Sequence, residues 1–327
     1  MVNFGDRIMK RIAVLTSGGD APGMNACIRA VVRSALNKNI EIYGVERGYA
    51  GLISGAIFRL ESRSVSDMVH RGGTFLRTAR CPEFVDVEVQ QKAVDTLSAY
   101  DIDGLVVIGG DGTFRGAYDL AKLGVNVIGI PGTIDNDLAY TDYTVGFDTA
   151  VNSVLWAINN LRDTMHSHDR VCLLEVMGRK CGDIALYAGI AGGAEYVLTP
   201  EIPFDVDKIA KSIKKSYLRG KTSNMIILAE GAGDRDEIVK QIEEKSGINV
   251  KVTNFGYIQR GGSPNMQDRI LAAKFGFKAV ELLENGESGV AVGIRDNKII
   301  AEPFEQVLTK KKMLDKELYD IAHVLSL

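Results

Sequence analysis

A cluster of carboxylates follows a short apolar run in the segment PGTIDNDLAYTD. Asp135, Asp137 and Asp142 lie close together there, and no Lys or Arg occurs between Lys122 and Arg162. Acidic residues just after a buried strand can act as a general base or support a bound metal ion. A purely structural turn is the alternative, because Asp and Asn side chains readily hydrogen-bond their own backbone.

Phosphoryl transfer is one chemistry that this cluster would serve. It needs aligned reactants, a metal ion, cations for the moving charge and a carboxylate that accepts the proton of the attacking hydroxyl. For that reaction Thr133 would hydrogen-bond the transferred group, Asp135 would act as the base and Asp137 would support the metal or its waters.

Two glycine-rich segments are predicted to join a strand to a helix and to suit an anion. Glycines let the backbone approach a phosphate, and a helix N-terminus offers free N–H groups. In GGDGTFRG (109–116), Asp111 would repel a phosphate unless a cation bridges them, which predicts Mg²⁺ there; a helix cap is the alternative. In SGGDAPGMN (17–25), Gly18 and Gly19 would pack against phosphates, or the segment is a tight turn.

Four arginines are expected near the same edge of the predicted sheets: Arg80, Arg170, Arg179 and Arg260. Arginine suits bidentate binding of phosphate, so the set predicts a phosphorylated substrate. Any one of them taken alone equally suits a surface ion pair.

Continuous apolar runs that alternate with helical patterns must position these groups. Examples are RIAVLT (11–16), GLVVIGG (104–110), VNVIGI (125–130), VCLLEVMG (171–178), NMIILAEGA (224–232) and VKVTNFGYI (250–258). This order indicates βαβ units and parallel sheets covered on both faces. The later VAVGIRDNKIIAEP predicts a hairpin that turns at Asp296-Asn297. We therefore predict an α/β protein with two doubly wound, mostly parallel-sheet (Rossmann-like) domains that share an active-site cleft, with Trp156 in the core.

Composition narrows the class of partner. The net charge of the 327 residues is −3 and no basic block occurs, which argues against nucleic acid and anionic membranes as partners. No apolar run is long enough to span a membrane. The four cysteines form no CxxC pair, so they are expected to be reduced thiols of a cytoplasmic protein. Residues 1–8 precede Met9 and are predicted to be an extension or to precede an alternative start.

Five motifs together resemble the bacterial 6-phosphofructokinases: SGGDAPGMN, IGGDGT, PGTIDNDL, EVMGRKCGDIAL and GYIQRGGSP. The resemblance runs from Met9 to the end of the chain. It implies transfer of the γ-phosphoryl group of ATP to the 1-hydroxyl of fructose 6-phosphate with Mg²⁺. It also implies a homotetramer of two-domain subunits, with residues 1–146 and 259–309 forming an ATP-binding domain and residues 147–258 and 310–327 a sugar-phosphate domain.

The resemblance assigns roles residue by residue. It makes Asp135 the general base, and it gives Arg179 the stabilisation of developing charge. The ATP site comprises Gly19, Arg80, Cys81, Gly110, Asp111, Gly112 and Thr113, with Asp111 on the metal side. The sugar contacts are Thr133, Ile134, Asp135, Met177, Gly178, Arg179 and Glu230. The 6-phosphate is bound by Tyr257 and Arg260 from within and by Arg170 and Lys251 of a neighbouring subunit.

An effector site is implied as well, for ADP as activator or phosphoenolpyruvate as inhibitor. Its residues are Arg29, Arg33, Arg162, Gly193, Glu195, Arg219 and Lys221. Arg29 and Arg33 are spaced i, i+4, so both would face one phosphate on a helix.

The sequence predicts one phosphoryl donor but leaves the acceptor open. Pyrophosphate-dependent members of the family typically carry Asp where this chain has Gly112 and Lys where it has Gly132, so ATP is the predicted donor. The usual Arg and His of the 6-phosphate pocket are replaced by Lys251 and Tyr257, which keeps tagatose 6-phosphate and sedoheptulose 7-phosphate open as acceptors. A nucleotide-sensing subunit without activity is the non-enzyme alternative.

Overall fold

The chain divides into two units in the computed structural model, which describes residues 9–326. Among the described residues, the first unit holds 9–134, Leu138–Asp148 and Arg260–Lys311. The second unit holds Asp135–Asp137, Thr149–Gln259 and residues 312–326. The predicted domain boundaries place Asp135–Asp137 in the first region, whereas these residues group with the second unit. The prediction for residues 1–8 lies outside the described residues.

Twelve strands are found within residues 9–326. They are β1 (Arg11–Thr16), β2 (Glu41–Val45), β3 (Ile57–Leu60), β4 (Gly104–Gly109), β5 (Val127–Thr133), β6 (Val145–Gly146), β7 (Val171–Val176), β8 (Tyr196–Leu198), β9 (Asn224–Ala229), β10 (Val250–Asn254), β11 (Val290–Arg295) and β12 (Lys298–Pro303).

The same residues form eleven α-helices. They are α1 (Met24–Asn37), α2 (Gly48–Ser54), α3 (Val87–Ala99), α4 (Asp111–Lys122), α5 (Phe147–His168), α6 (Asp183–Ala191), α7 (Val206–Leu218), α8 (Arg235–Ser246), α9 (Met266–Glu284), α10 (Phe304–Thr309) and α11 (Lys316–Leu325). Short 3₁₀ helices cover Ser62–Val65, Pro82–Val85 and Gly256–Arg260.

The first unit is built on an eight-stranded sheet. Its order is β12-β11-β5-β4-β1-β2-β3, with β6 paired to β5. The central strands run parallel, and the two edge strands β3 and β12 run antiparallel. Every residue of β4 is buried, as expected for a parallel strand covered on both faces. The predicted hairpin joins β11 to β12 through Asp296 and Asn297, both with positive φ, as a type I′ turn requires.

The second unit has its own four-stranded sheet, in the order β10-β7-β9-β8, and all four strands are parallel. Leu173 on β7, Ile226 on β9 and Ile213 on α7 are fully or almost fully buried in its core. The prediction of an α/β fold with mostly parallel sheets is therefore confirmed.

Three sequence predictions need correction. The strand expected over 125–130 continues through Thr133. The strand expected over 250–258 ends at Asn254, and a 3₁₀ helix follows it. Trp156 is 65% exposed on α5 and lies outside the core.

Within residues 9–326, no helix is both long and apolar enough to cross a bilayer.

Candidate active site

The glycine-rich turn after β1 lies at the carboxyl end of its strand, where ligands bind in parallel sheets. Gly18 has φ 85°, a conformation that glycine adopts without strain. Thr113 Oγ1 donates to Ser17 O at 3.1 Å, and Thr78 Oγ1 donates to Gly18 O at 2.7 Å. The turn is thus fixed from two sides, by the first turn of α4 and by the loop that contains Thr78.

The second glycine-rich segment forms the β4–α4 turn beside the first. Gly110 caps α4 in an extended conformation, and Asp111 is the first residue of that helix. A Cβ on Gly110 would lie 3.7 Å from Thr133 Cβ, so the end of β5 adjoins this turn. A Cβ on Gly112 would meet nothing within 4 Å. The predicted ATP residues Gly19, Gly110, Asp111, Gly112 and Thr113 are therefore brought together in the first unit, with Thr133 beside them.

Arg80 and Cys81 belong to the loop that precedes the 3₁₀ helix at Pro82. Arg80 is exposed, whereas Cys81 is half-buried and packs against the core of the first unit. Burial, followed by a hydrogen bond and the charge of Glu83, raises the pKa of the Cys81 thiol to about 11. The thiol is therefore neutral at ordinary pH.

Asp111 suits a magnesium ion only if substrate phosphates and water supply the other ligands. Residues 9–326 contain no cluster of three or more His, Cys, Asp or Glu side chains that would hold a metal on its own. The Asp111 carboxylate is partly exposed at a helix N-terminus and pairs with Arg115 Nε at 3.0 Å. Mg²⁺ commonly binds through one or two carboxylates together with substrate phosphates and water. Asp111 is suited to that type of site.

In the second unit, Asp135 and Arg179 form the centre of the predicted acceptor site. Asp135 is only 3% exposed, and its Oδ2 lies 3.8 Å from Arg179 Nε. Arg179 has φ 55° and its side chain is 66% exposed, so the guanidinium reaches solvent while still facing the buried carboxylate. A nearby cation favours the charged form of a carboxylate.

The backbone after β7 is held by two polar side chains from other elements. Met177 N donates to Gln259 Oε1 at 3.2 Å, and Arg179 N donates to Glu230 Oε1 at 2.7 Å. Gly178 has φ 136°, and a Cβ there would lie 2.4 Å from Cys181 O. The structure therefore brings together four predicted sugar-binding residues: Met177, Gly178, Arg179 and Glu230.

Arg170 and Lys251 lie at the opposite edge of this sheet. Arg170 immediately precedes β7, and Lys251, near the start of β10, is paired in register with Cys172. Both are thus at the amino ends of their strands, whereas Met177 follows the carboxyl end of β7. The expectation that Arg170 lies at the carboxyl edge is wrong. Tyr257 is 83% exposed in the 3₁₀ helix that ends at Arg260.

Comparison with known proteins identifies the family. The family model described as "Phosphofructokinase" matches residues 11–283. The chain belongs to the phosphofructokinase family. Relatives in this family named ATP-dependent 6-phosphofructokinase are 59% identical in Clostridium novyi and 58% identical in Clostridium acetobutylicum. Each alignment spans 318 residues, which is 97% of this chain and 100% of the relative.

Solved phosphofructokinases share the fold. The Saccharomyces cerevisiae enzyme matches with a TM-score of 0.84 at 35% identity, over 97% of this chain and 46% of its own. The Pichia pastoris enzyme in the T-state matches with a TM-score of 0.87 at 32% identity, over 98% of this chain and 39% of its own. This chain therefore spans less than half of either yeast chain. A pyrophosphate-dependent phosphofructokinase from Marinobacter aquaeolei, at 23% identity and a TM-score of 0.84 over 94% of this chain and 86% of its own, shows the fold alone.

The predicted effector residues lie at three places in the structure. Glu195 lies 3.3 Å from Lys221 Nζ and 3.9 Å from Arg162 Nη2, and Arg162 also donates to the carbonyls of Gly192 and Gly193. These residues form one cluster in the second unit. Arg219 is the exposed C-cap of α7, whereas Arg29 and Arg33 lie on α1 in the first unit.

Asn25 is part of the SGGDAPGMN motif, but it is not among the predicted site residues. It is 3% exposed, and its amide donates to the carbonyls of Arg71 and Gly72 while accepting from Phe75 N. It thereby ties the loop over 71–75 to α1. A polar residue on the buried face of a helix is the signal that marks it.

Proposed function

We propose that this chain is an ATP-dependent 6-phosphofructokinase that transfers the γ-phosphoryl group of ATP to the 1-hydroxyl of D-fructose 6-phosphate. The observation that carries the proposal is the buried Asp135 carboxylate facing the exposed guanidinium of Arg179. Such a pair supplies the proton acceptor and the cation that phosphoryl transfer requires. The names of relatives 58–59% identical over their full length support the same activity.

Asp135 accepts the proton of the 1-hydroxyl as that oxygen attacks the γ-phosphorus, and the bond from that phosphorus to the bridging oxygen breaks, so that ADP leaves. Arg179, whose Nε lies 3.8 Å from Asp135 Oδ2, offers positive charge to the phosphoryl oxygens as charge moves across them. Met177, Gly178 and Glu230 hold the sugar beside these two groups. Ile134 joins them in the substrate site.

The nucleotide is assigned to the first unit. Backbone N–H groups of Gly19 and of Gly110 to Thr113 face its phosphates, and Thr133 contacts the transferred group. Arg80 and Cys81 complete the ATP site. Bound Mg²⁺ would neutralise phosphate charge; Asp111 would hold it and Asp137 would support its waters.

The proposed assembly is a cytoplasmic homotetramer. Arg170 and Lys251 lie at the amino edge of their sheet, away from the loop after β7, and would bind the 6-phosphate in the site of a neighbouring subunit. Tyr257 and Arg260 would bind the 6-phosphate within their own subunit. ADP and phosphoenolpyruvate are the proposed effectors, bound by the cluster around Glu195 together with Arg29, Arg33 and Arg219.

The test is a set of initial rates with Mg²⁺ and fructose 6-phosphate, with ATP and pyrophosphate run in parallel. We expect ATP-dependent formation of fructose 1,6-bisphosphate and a fall in kcat of at least about 100-fold in Asp135→Asn. Turnover with pyrophosphate alone would overturn the donor assignment. Turnover of tagatose 6-phosphate or sedoheptulose 7-phosphate in place of fructose 6-phosphate would overturn the acceptor. Nucleotide binding without turnover of any of these sugars would favour a sensing subunit.

A further inference from the structure

A buried polar network lies directly behind the proposed base. Asn136 follows Asp135 in the chain, is fully buried and has φ 51°. Its Nδ2 donates to Asp183 Oδ2 at 2.8 Å, and its carbonyl accepts a long contact from Cys181 Sγ at 4.0 Å. Both the side chain and the backbone of Asn136 are therefore held by the segment that begins α6.

These contacts matter because Asn136 adopts a left-handed conformation that they help to keep. Asn adopts positive φ more readily than most residues, but the conformation is still less favourable than the right-handed one and persists where surrounding contacts fix it. The torsions of Asn136 set the relative directions of Asp135 and Asp137 on either side. Releasing Asn136 would let the two carboxylates turn away from their present positions.

Asp183, the anchor of this network, needs a cation of its own. It is 4% exposed and opens α6, where the helix dipole favours its charge. Lys312 Nζ lies 3.5 Å from Asp183 Oδ2, and the Lys312 side chain is 20% exposed. A buried carboxylate is costly without such a partner.

Glu201 adds a second negative charge beside the start of α6, which increases the need for the positive charge of Lys312. Glu201 Oε1 accepts from Gly182 N at 2.8 Å, one residue before Asp183. Burial and then the charges of Asp183 and Glu201 raise the pKa of the Cys181 thiol, and Lys312 acts in the opposite direction. Asp183, Glu201 and Lys312 thus all act electrostatically on Cys181, and removal of Lys312 would leave the two negative charges without the cation that offsets them.

We propose that Lys312 and Asp183 are positioning residues, which hold Asn136 in its left-handed conformation and thereby aim the carboxylate of Asp135. The role of Asp135 as base rests on the function proposed above. All of these residues belong to the second unit, and Lys312 opens its C-terminal segment. That segment therefore acts on the loop of Asp135–Asp137 through the contact of Lys312 with Asp183.

The experiment compares Lys312→Met with Lys312→Arg and, as the matched control, with Lys311→Met at the exposed neighbouring lysine. We expect Lys312→Met to lower kcat by about 10-fold or more, because small displacements of a catalytic group are costly in rate. The KM for ATP should change less than kcat, because the residues proposed to contact the nucleotide itself lie in the first unit. Lys312→Arg should restore most of kcat, and Lys311→Met should match the wild type.

Amide hydrogen exchange gives a readout that does not depend on turnover. Peptides that cover residues 133–138 should exchange faster in Lys312→Met and in Asp183→Ala than in Lys311→Met, while peptides from β4 and α4 stay unchanged. Asn136→Gly should show the same faster exchange, because glycine permits the conformation without the amide contact.

Two results would overturn the proposal. One is unchanged exchange over 133–138 in both Lys312→Met and Asp183→Ala. The other is a parallel loss of kcat, ATP affinity and melting temperature that Lys312→Arg does not reverse, which indicates a role in folding alone. A wild-type protein that fails to phosphorylate fructose 6-phosphate would overturn the proposed function, and the exchange data would still decide the positioning role.

Discussion

Arg260 and Gly19 lie so close together that no side chain fits at position 19 while the arginine keeps its place. A Cβ on Gly19 would stand 1.9 Å from Arg260 Nη1, and the same nitrogen lies 3.4 Å from Asp20 O. Arg260 Nε is buried and has no hydrogen-bond partner within the described part of the chain. The guanidinium therefore lies against the glycine-rich turn, although the resemblance assigns it to the sugar 6-phosphate.

This contact predicts that Gly19→Ala acts through Arg260. The new methyl group would displace the flexible end of the arginine, so the melting temperature should change little while the KM for fructose 6-phosphate rises by about 10-fold, the cost of a lost charged hydrogen bond. Gly112→Ala, where a Cβ meets nothing within 4 Å, is the stability control. In an Arg260→Ala background, Gly19→Ala should add little. An equal increase in both backgrounds would contradict the coupling.

The two glycines that bear on the phosphoryl donor should respond differently to substitution. Gly112 faces open space, and an acid in the first turn of a helix is favourable, so Gly112→Asp should keep its melting temperature. Its like charge beside the nucleotide phosphates should lower kcat/KM for ATP by more than about 100-fold.

Gly132→Lys is the contrasting variant. A Cβ there would lie 2.9 Å from Ile108 Cγ2 and 3.2 Å from Met24 Cε. Overpacking of this kind should cost about 1–3 kcal/mol, measured as a lower melting temperature. Equal thermal stability of the two variants would show that the crowding around Gly132 relaxes without cost.

The sequence allowed the fold to be predicted where each strand is a continuous apolar run. It predicted β4 and β9 to within a few residues, because strands covered on both faces are uniformly apolar. It failed for the strand predicted over 250–258, because Phe255, Tyr257 and Ile258 extend the apolar pattern past Asn254 into a 3₁₀ helix. Trp156 was misplaced because an aromatic residue in an apolar helix does not reveal which face of the helix is covered.

The candidate site was predictable in part for a related reason. Residues that follow a strand could be assigned to its carboxyl end, which located Gly110 and Arg179. The same rule, applied strictly, places Arg170 at the amino end of β7, since it precedes that strand. The network of Lys312, Asp183 and Asn136 joins residues far apart in the chain, so no local pattern indicates it.

The cluster around Glu195 predicts how the effector response can be removed. Lys221 Nζ lies 3.3 Å from Glu195 Oε1, and Lys221 would supply charge to a phosphorylated effector. Lys221→Met should abolish most of the change in rate caused by ADP or phosphoenolpyruvate, relative to each variant's own rate without effector. Lys215→Met, an exposed lysine in the last turn of α7, is the control and should keep the response. A full response in Lys221→Met would argue against an effector site at this cluster.

The raised pKa of Cys81 predicts a distinctive pH dependence of thiol alkylation. Burial first, and then the hydrogen bond and charge of Glu83, move this pKa from 9.0 to about 11. The neutral thiol is the favoured form in the folded protein, and only the thiolate reacts. The folded protein therefore holds about 100-fold less thiolate near pH 8 than the unfolded chain does. Labelling of the native protein by iodoacetamide should rise between pH 9 and pH 11, whereas in denaturant the rise is centred near 9.

Two variants and the addition of ATP test whether the labelling belongs to Cys81 and whether Cys81 lines the nucleotide site. Glu83→Gln removes the charge that favours the neutral thiol, so labelling near pH 8 should accelerate. Cys81→Ser should remove most native labelling, because Cys27, Cys172 and Cys181 are buried. ATP should slow labelling of the wild type if Cys81 lines the nucleotide site. Native labelling that reaches its plateau by pH 9 would contradict the raised pKa, and labelling that ATP leaves unchanged would remove Cys81 from the proposed ATP site.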